Sequence, residues 1–179
     1  MILQRACTIT DSSAGDQREH WWLSAVDQLS RPAGHWPGRL QSASGGPLLA
    51  RCVLRAVPSA PKTAREFTRT TLTDWQLDDL FDDAEMTVSE LVTNALRHGL
   101  RGLRQPRRPH PVQLVLVRDE RRLLSVVTDP SDQVPAHTHP DESAETGRGL
   151  RIVEAVSSRW GWAPLGTGGK AVWAAFDLS

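Results

Sequence analysis

The sequence predicts an α/β two-layer sandwich, in which three helices cover one face of a mixed, mostly antiparallel sheet. Two apolar runs, 112–118 and 123–128, are separated only by the charged turn 119–122, and so short a connection predicts an antiparallel hairpin. Three other stretches carry apolar residues at three- and four-residue intervals, as helices that each bury one side do. Four or five strands and three helices in this order leave few other layer arrangements.

Length and composition exclude several classes of protein. At 179 residues the chain can bury a substantial core, and its length favours one domain. Acidic and basic residues number 21 each, which argues against a general nucleic-acid binder. No run approaches the ~18–20 apolar residues that span a bilayer, and the N-terminus lacks a signal pattern, so we expect a cytoplasmic protein. Cys7 and Cys52 have no CxxC spacing, which indicates neither a disulfide framework nor a zinc site; Cys52 is expected in the core.

Residues 1–48 are predicted to be a partly flexible N-terminal extension ahead of one domain over residues 49–179. Segments rich in Ser and Gly punctuate the extension. A short helix is expected over 20–29, where Trp21 and Trp22 could pack on the main domain or on a partner.

The domain is expected to begin with a strand and a helix. Residues 52–57 form a strand-like run that Pro58 ends. Ser59 then stands where a helix N-cap would, and Pro61 falls in the first turn, where a missing N–H costs little. A first helix is therefore predicted over about 60–72.

A second, longer helix is expected from about residue 76 to 98. Thr73 and Asp74 are placed to cap its start, and Gly99 is placed to stop it. Its apolar stripe consists of Leu77, Phe81, Ala84, Val88, Leu91, Val92 and Ala95.

Three polar residues of this helix, Glu90, Asn94 and His98, recur every four positions and so form one row along the edge of the apolar stripe. Such a row borders the core, where a carboxylate and a carboxamide can be partly desolvated and still reach a ligand. Glu can act as a general base, and Asn can offer an oxygen to Mg²⁺. An ordinary amphipathic helix also carries such residues on its flank, so the row gains weight only from the rest of the chain.

Two loops are predicted between the remaining elements. The Arg- and Pro-rich stretch 100–111 could meet phosphates or an acidic partner, or could simply be solvated. The second hairpin strand ends on Asp129, after which residues 130–144 lose all periodicity. A His-Thr-His run at 137–139 could suggest a metal, but it has no second pair of ligands.

Glycines precede the third helix. The run 147–150, Gly-Arg-Gly-Leu, would let a phosphate approach backbone N–H groups at the positive helix end. A lone G-x-G is also what a plain loop-to-helix turn contains. Residues 159–163 and 170–176 then predict a closing hairpin around 166–169.

The order of these elements resembles the ATP-binding domain of gyrase-type ATPases, sensor histidine kinases and anti-sigma-factor serine kinases, the GHKL superfamily. Residues 90–95 look like its N box, 127–131 like its first glycine box and 147–150 like its second, and the resemblance covers about 50–178. It implies a Bergerat-type ATP-binding fold. The run E-L-V-T-N-A-x-R-H-G and the ending G-K-A-V-W-A look most like the small anti-sigma regulatory kinases of actinobacteria.

The resemblance also implies roles for individual residues. Glu90 would be the general base, taking a proton from a serine hydroxyl of a partner or from water. Asn94 would ligate Mg²⁺ that bridges the ATP phosphates, and His98 would line the same site. Asp129 would accept the adenine amino group. The second box would supply backbone donors to the phosphates through Gly147, Arg148, Gly149 and Leu150.

The first glycine box departs from the family pattern. It often reads D-x-G-x-G, but here Asp129 is followed by Pro-Ser-Asp-Gln, without a glycine. Ser131 can still make a tight turn and hydrogen-bond, so adenine binding survives this change more easily than a fully wrapped lid. Affinity and turnover are the properties that the change affects.

The resemblance therefore implies an ATP- and Mg²⁺-dependent protein serine kinase. Its partner would be a small antagonist protein, a sigma factor, or both, without direct contact to nucleic acid or membrane; homodimerisation is left open. The alternative is a non-catalytic ATP-binding module that regulates transcription by occluding its partner. A degenerate domain without nucleotide is opposed by the joint presence of Glu90, Asn94 and Asp129.

Overall fold

The computed structural model describes both backbone and side chains over most of the domain. The described residues are 7–8, 39–40, 47–100, 112–135, 148–166 and 168–178, with the backbone alone at 7–8, 39–40 and 148. The predicted helix over 20–29, the His-Thr-His run, Gly147 and most of the Arg- and Pro-rich loop lie outside them. None of the helices within the described ranges has the length and apolar character to cross a membrane.

Seven strands of the described chain form one sheet. The five long ones are β3 (Leu48–Leu54), β4 (Val112–Arg118), β5 (Arg122–Asp129), β6 (Arg159–Pro164) and β7 (Lys170–Asp177). Two short strands flank them, β1 (Cys7–Thr8) and β2 (Arg39–Leu40). The order is β1-β6-β7-β5-β4-β3-β2, and every pairing is antiparallel except that of β1 with β6. The predicted mixed, mostly antiparallel sheet with its two hairpins is confirmed.

Three helices of the described chain accompany the sheet, as predicted: α1 (Ala60–Asp74), α2 (Phe81–Asn94) and α3 (Arg148–Val156). A 3₁₀ turn, Asp78–Leu80, precedes α2, and a π-helical turn, Ala95–Gly99, follows it. The long helix expected over about 76–98 is thus one continuous helical stretch whose last turn is widened.

The helices lie on one face of the sheet. Because side chains alternate along a strand, Leu114, Leu116 and Val127 join the core beneath the helices, with α2 residues such as Val88 and Val92. The opposite face carries its own buried cluster: Val115, Val117, Leu124, Val126, Leu165, Ala171, Trp173 and Ala175. No helix of the described part contributes to that second cluster. Burial on both faces accounts for the unbroken apolar runs of β4 and β5.

The first long strand starts and ends earlier than predicted. It covers Leu48–Leu54 instead of 52–57, because pairing with β4 sets its ends: Leu48 lies opposite Arg118 and Leu54 opposite Val112. Apolar character continues beyond the last pair, but Val57 is 42% exposed. Cys52 is half-buried and packs against the core, and burial raises the pKa of its thiol.

The predicted caps of the second helix are wrong. Thr73 and Asp74 form the end of α1, which extends two residues past the expected 72 and stops where Trp75 enters the core. Gln76 then takes a left-handed conformation, with φ of 56°, and turns the chain towards α2. Ser59 does precede α1, as predicted, but its side chain makes no capping hydrogen bond.

Helix α1 holds α2 in place along its length. The guanidinium of Arg69 pairs with Glu85, Nε to Oε1, at 2.6 Å and lies over the ring of Phe81, 4.7 Å from its centroid. One turn earlier, Arg65 donates to the hydroxyl of Ser89 at 2.8 Å. These contacts fix the helix that carries the predicted polar row.

Candidate functional site

A cavity of about 230 Å³ opens between α2, the first turn of α3 and the ends of β5 and β7. Its volume lies below the ~300–1,000 Å³ of pockets that enclose drug-sized ligands, so the enclosed part suits one ring system. Six of the lining residues were predicted site residues: Asn94, His98, Asp129, Ser131, Gly149 and Leu150.

The walls of this cavity are apolar. Leu91 and Ala95 approach from α2, Val127 from β5, Leu150 from α3 and Val172 from β7. All five residues belong to the main core cluster, so their positions are fixed by packing rather than by loops. A slot with rigid aliphatic walls suits a flat aromatic ring.

The inner end of the cavity is polar and consists of an ion pair. Asp129, the last residue of β5, lies directly opposite Lys170, the first residue of β7. The Lys170 Nζ is 2.8 Å from Oδ1 of Asp129, and the two side chains are only 7% and 3% exposed. Burial raises the pKa of the Asp129 carboxyl, while the Lys170 ammonium and the N–H of Ser131 act in the opposite direction.

Side-chain hydrogen bonds stabilise the turn that follows Asp129. The N–H of Ser131 donates to Oδ1 of Asp129 at 2.9 Å, and the N–H of Gln133 donates to the hydroxyl of Ser131 at 3.1 Å. Asp132 accepts from the N–H of Gly169 at 2.9 Å. Short polar side chains that bond to the backbone two residues on are an established way to build turns without glycine. The expected tight turn at Ser131 is confirmed.

Two glycines enclose Asp129. A Cβ at Gly99 would lie 2.6 Å from Cγ of Asp129, and one at Gly169 would overlap the Asp129 carbonyl oxygen. Gly169 also has φ of +82°, whereas Gly99 is not among the residues with positive φ. Gly99 therefore ends the helical stretch as predicted, without a left-handed conformation; glycine is required there because Asp129 approaches so closely.

The outer end of the site lies where α3 meets α2. A Cβ at Gly149 would lie 2.7 Å from Oε2 of Glu90 and 3.2 Å from Nδ2 of Asn94, so the second glycine box packs directly on the N-box helix. Both side chains are partly exposed. Asn94 lines the cavity and Glu90 lies just outside its lining. His98, on the π-helical turn, is exposed and lines the same cavity.

The donor set at this outer end suits a metal ion that is held mainly by a ligand. Within the described ranges, no group of three or more His, Cys, Asp or Glu could hold a metal by itself. Mg²⁺ usually keeps several waters and uses one or two protein oxygens together with substrate phosphates. The single Asn94 carboxamide fits that pattern.

Fold and site together define an ATP-binding domain of the gyrase and histidine-kinase type. The family model of the histidine kinase-like ATPase domain matches residues 54–176, and the chain belongs to this family. Domains of this type bind ATP, usually with Mg²⁺. A search of the curated proteins found no match. The family resemblance and the fold predicted from the sequence are thereby confirmed, while the anti-sigma branch stays a prediction.

Lys170 lines the cavity and pairs with Asp129, and the sequence did not predict it there. It was predicted only as the start of the closing strand. The available signal was a lysine at the head of an otherwise apolar strand, directly after Gly168 and Gly169. Neither its burial nor its partner follows from that pattern, because both depend on the pairing of β7 with β5.

Proposed function

We propose that this protein is an ATP-dependent protein serine kinase of the anti-sigma regulatory type. Its substrate is a serine of a small antagonist protein, and it acts on transcription through that protein, through sequestration of a sigma factor, or through both. The observation that carries the proposal is the position of Glu90. The carboxylate lies beside Gly149 and one helical turn from Asn94, outside the ring-sized slot.

The two ends of the site divide the nucleotide between them. The adenine ring occupies the slot, with its amino group donating to Asp129. The phosphates extend towards the first turn of α3, whose N–H groups have no acceptor within the helix and favour negative charge. The γ-phosphate is thereby brought to the end where Glu90 and Asn94 stand.

The outer end of the site has to support a single phosphoryl transfer. The serine hydroxyl of the partner attacks the γ-phosphorus, the bond to the β-phosphate oxygen breaks, and ADP leaves. Glu90 accepts the hydroxyl proton, Asn94 would ligate a bound Mg²⁺, and the N-terminus of α3 orients the phosphates. When bound, the ion neutralises charge on the phosphates. Phosphoryl transfer depends mainly on positioning and electrostatic stabilisation, so this small set of groups suffices.

Transfer of the terminal phosphate tests the proposal. The purified protein is incubated with γ-labelled ATP, Mg²⁺ and an extract of its source cells, and labelled proteins are separated and analysed for phosphoserine. We expect one small protein to be labelled. Glu90→Gln keeps the shape of the side chain but cannot take a proton, so transfer should fall by ~10²–10⁴-fold with nucleotide affinity retained.

Asp82→Asn is the matched control, since it makes the same acid-to-amide change at an exposed position of the same helix. Its labelling rate should equal that of the wild type. A wild-type protein that binds ATP and retains a partner, yet labels none, would instead favour the non-catalytic module that acts by occlusion. Normal transfer by Glu90→Gln would remove the assignment of the base.

A further inference from the structure

The ion pair at the inner end of the cavity is not explained by stability. A buried pair loses much of its Coulombic gain to desolvation, and well-packed apolar residues in its place are often as stable or more stable. Asp129 and Lys170 are both buried, yet both line the cavity. Both side chains face the cavity and are shielded from bulk solvent, which indicates a role in ligand binding.

The hydrogen bonds around Asp129 leave one oxygen for that role. Oδ1 accepts from Lys170 Nζ at 2.8 Å and from the N–H of Ser131 at 2.9 Å. No donor of the described residues bonds to Oδ2. Lys170 is held in turn by the carbonyl oxygen of Ser131 at 3.2 Å, so the ammonium has two fixed acceptors. The pair therefore presents, from a rigid frame, a carboxylate oxygen that no donor among the described residues occupies.

We propose that Lys170 determines which base the site accepts: its ammonium holds Asp129 as a pure hydrogen-bond acceptor and so selects a ring with an amino group over one with a carbonyl there. The inference rests on the proposed nucleotide site. Adenine carries such an amino group, and hypoxanthine carries a carbonyl in its place. An ionised carboxylate only accepts hydrogen bonds, whereas a protonated one can also donate to a carbonyl.

Without the ammonium, this distinction should fade. Desolvation already raises the pKa of Asp129, and removal of Lys170 takes away the main opposing charge. The carboxyl would then be protonated over a wider pH range, and it could accept from the amino group of adenine or donate to the carbonyl of hypoxanthine. Among the described residues, the other titratable groups near it are Asp132 in the following turn and His98 across the cavity, and both remain unchanged in the Lys170 variants.

Titration calorimetry on the full chain with Mg²⁺, using ADP and inosine diphosphate, tests this inference. The two ligands differ only at position 6 of the ring, which carries an amino group in ADP and a carbonyl in inosine diphosphate, and in the N1 proton that accompanies the carbonyl. The wild type should prefer ADP by about ten- to a hundred-fold, the value of a charge-assisted hydrogen bond. Lys170→Met, which keeps the aliphatic stem, should reduce the preference to about threefold or less, mainly through loss of ADP affinity.

Measuring the two affinities as a function of pH adds a second test, because a merely structural role of Lys170 would not change their pH dependence. In Lys170→Met, ADP affinity should rise with pH as Asp129 loses its proton, and inosine diphosphate affinity should fall. The wild-type preference should stay flat through neutral pH. Lys170→Arg keeps the charge and should keep the preference. Lys62→Met removes a lysine whose side chain is 72% exposed and should change neither ligand.

The outcomes separate this inference from the proposed function. A wild type that binds neither nucleotide overturns the nucleotide site, and the role of Lys170 with it. A wild type that prefers ADP, together with a Lys170→Met variant that prefers it equally at every pH, overturns only the role of Lys170. Thermal melting establishes that the variant is folded. If Lys170→Met does not fold, Lys170→Gln replaces it, since its amide can still donate to Asp129 but carries no charge.

Discussion

The two ends of the candidate site are built differently. At the inner end, Asp129 and Lys170 are buried, paired across two strands and enclosed by Gly99 and Gly169. At the outer end, Glu90 and Asn94 on α2 are partly exposed and lie against Gly149 in the first turn of α3. The inner end is thus built into the sheet, while the outer end consists of partly exposed side chains on a helix.

Because of this difference, substitutions at the two ends should affect different properties of the protein. Changes at the inner end disturb the register of β5 and β7, so they should affect stability and binding together. Changes at the outer end alter side chains that the core does not need, so they should affect transfer with little effect on stability. Substitutions of the same kind at the two ends test this difference.

Gly169→Ala should have the largest effect on stability. Ala at φ of +82° is strained by ~1–3 kcal/mol, and its Cβ overlaps the Asp129 carbonyl oxygen, which adds ~1–3 kcal/mol of overpacking. The free energy of unfolding, measured by urea titration, should fall by the sum. Gly168→Ala is the matched control, with φ of +86° and no atom within 4 Å of its Cβ. Equal losses for the two variants would show that the contact with Asp129 carries no energy.

Asp129→Asn should come next, with a loss of ADP affinity of about ten- to a hundred-fold. The amide oxygen can still accept from the adenine amino group, but it lacks the negative charge that strengthens this hydrogen bond, and the change leaves Lys170 without its counter-charge. The double variant Asp129→Asn/Lys170→Met removes that unpaired charge, so it should regain stability but not affinity.

The matched control for this change is Asp132→Asn. Its amide oxygen can still accept from the N–H of Gly169, so calorimetry should give the wild-type affinity for ADP. If Asp129→Asn also bound ADP as the wild type does, Asp129 would be only a strand-end residue.

The outer end was predictable from the sequence because it depends on local spacing. Glu90 and Asn94 are four residues apart on one helix, and helical periodicity alone places them in one row. The first turn of α3 was likewise indicated by its glycines. The contact between Gly149 and Glu90 needed the packing of two helices, but the family resemblance supplied that arrangement.

The inner end was only half predictable. Asp129 was found as the end of an apolar strand, but its partner is 41 residues away and lies opposite it only in the actual β5–β7 register. A shift of one residue in that register would turn Lys170 to the other face of the sheet. The reason for Gly99 was missed for a similar cause. Glycine after a helix usually indicates a left-handed cap, and only the packed sheet reveals a close approach instead.

Gly149→Ala should have the smallest effect on the fold and a selective effect on chemistry. Ala is favoured over Gly inside a helix by ~0.5–1 kcal/mol, and the new Cβ meets only the ends of two side chains, Oε2 of Glu90 at 2.7 Å and Nδ2 of Asn94 at 3.2 Å. The free energy of unfolding should therefore change by less than about 1 kcal/mol. The displaced carboxylate should slow phosphoryl transfer about tenfold, short of the ~10²-fold that a 1 Å misplacement can cause.

Labelled transfer and urea unfolding on the same preparation measure both, with Gly168→Ala as the control that leaves transfer unchanged. A Gly149→Ala protein that transfers normally would mean that Glu90 need not stand where it does, and one that unfolds readily would mean that the outer end supports the fold after all.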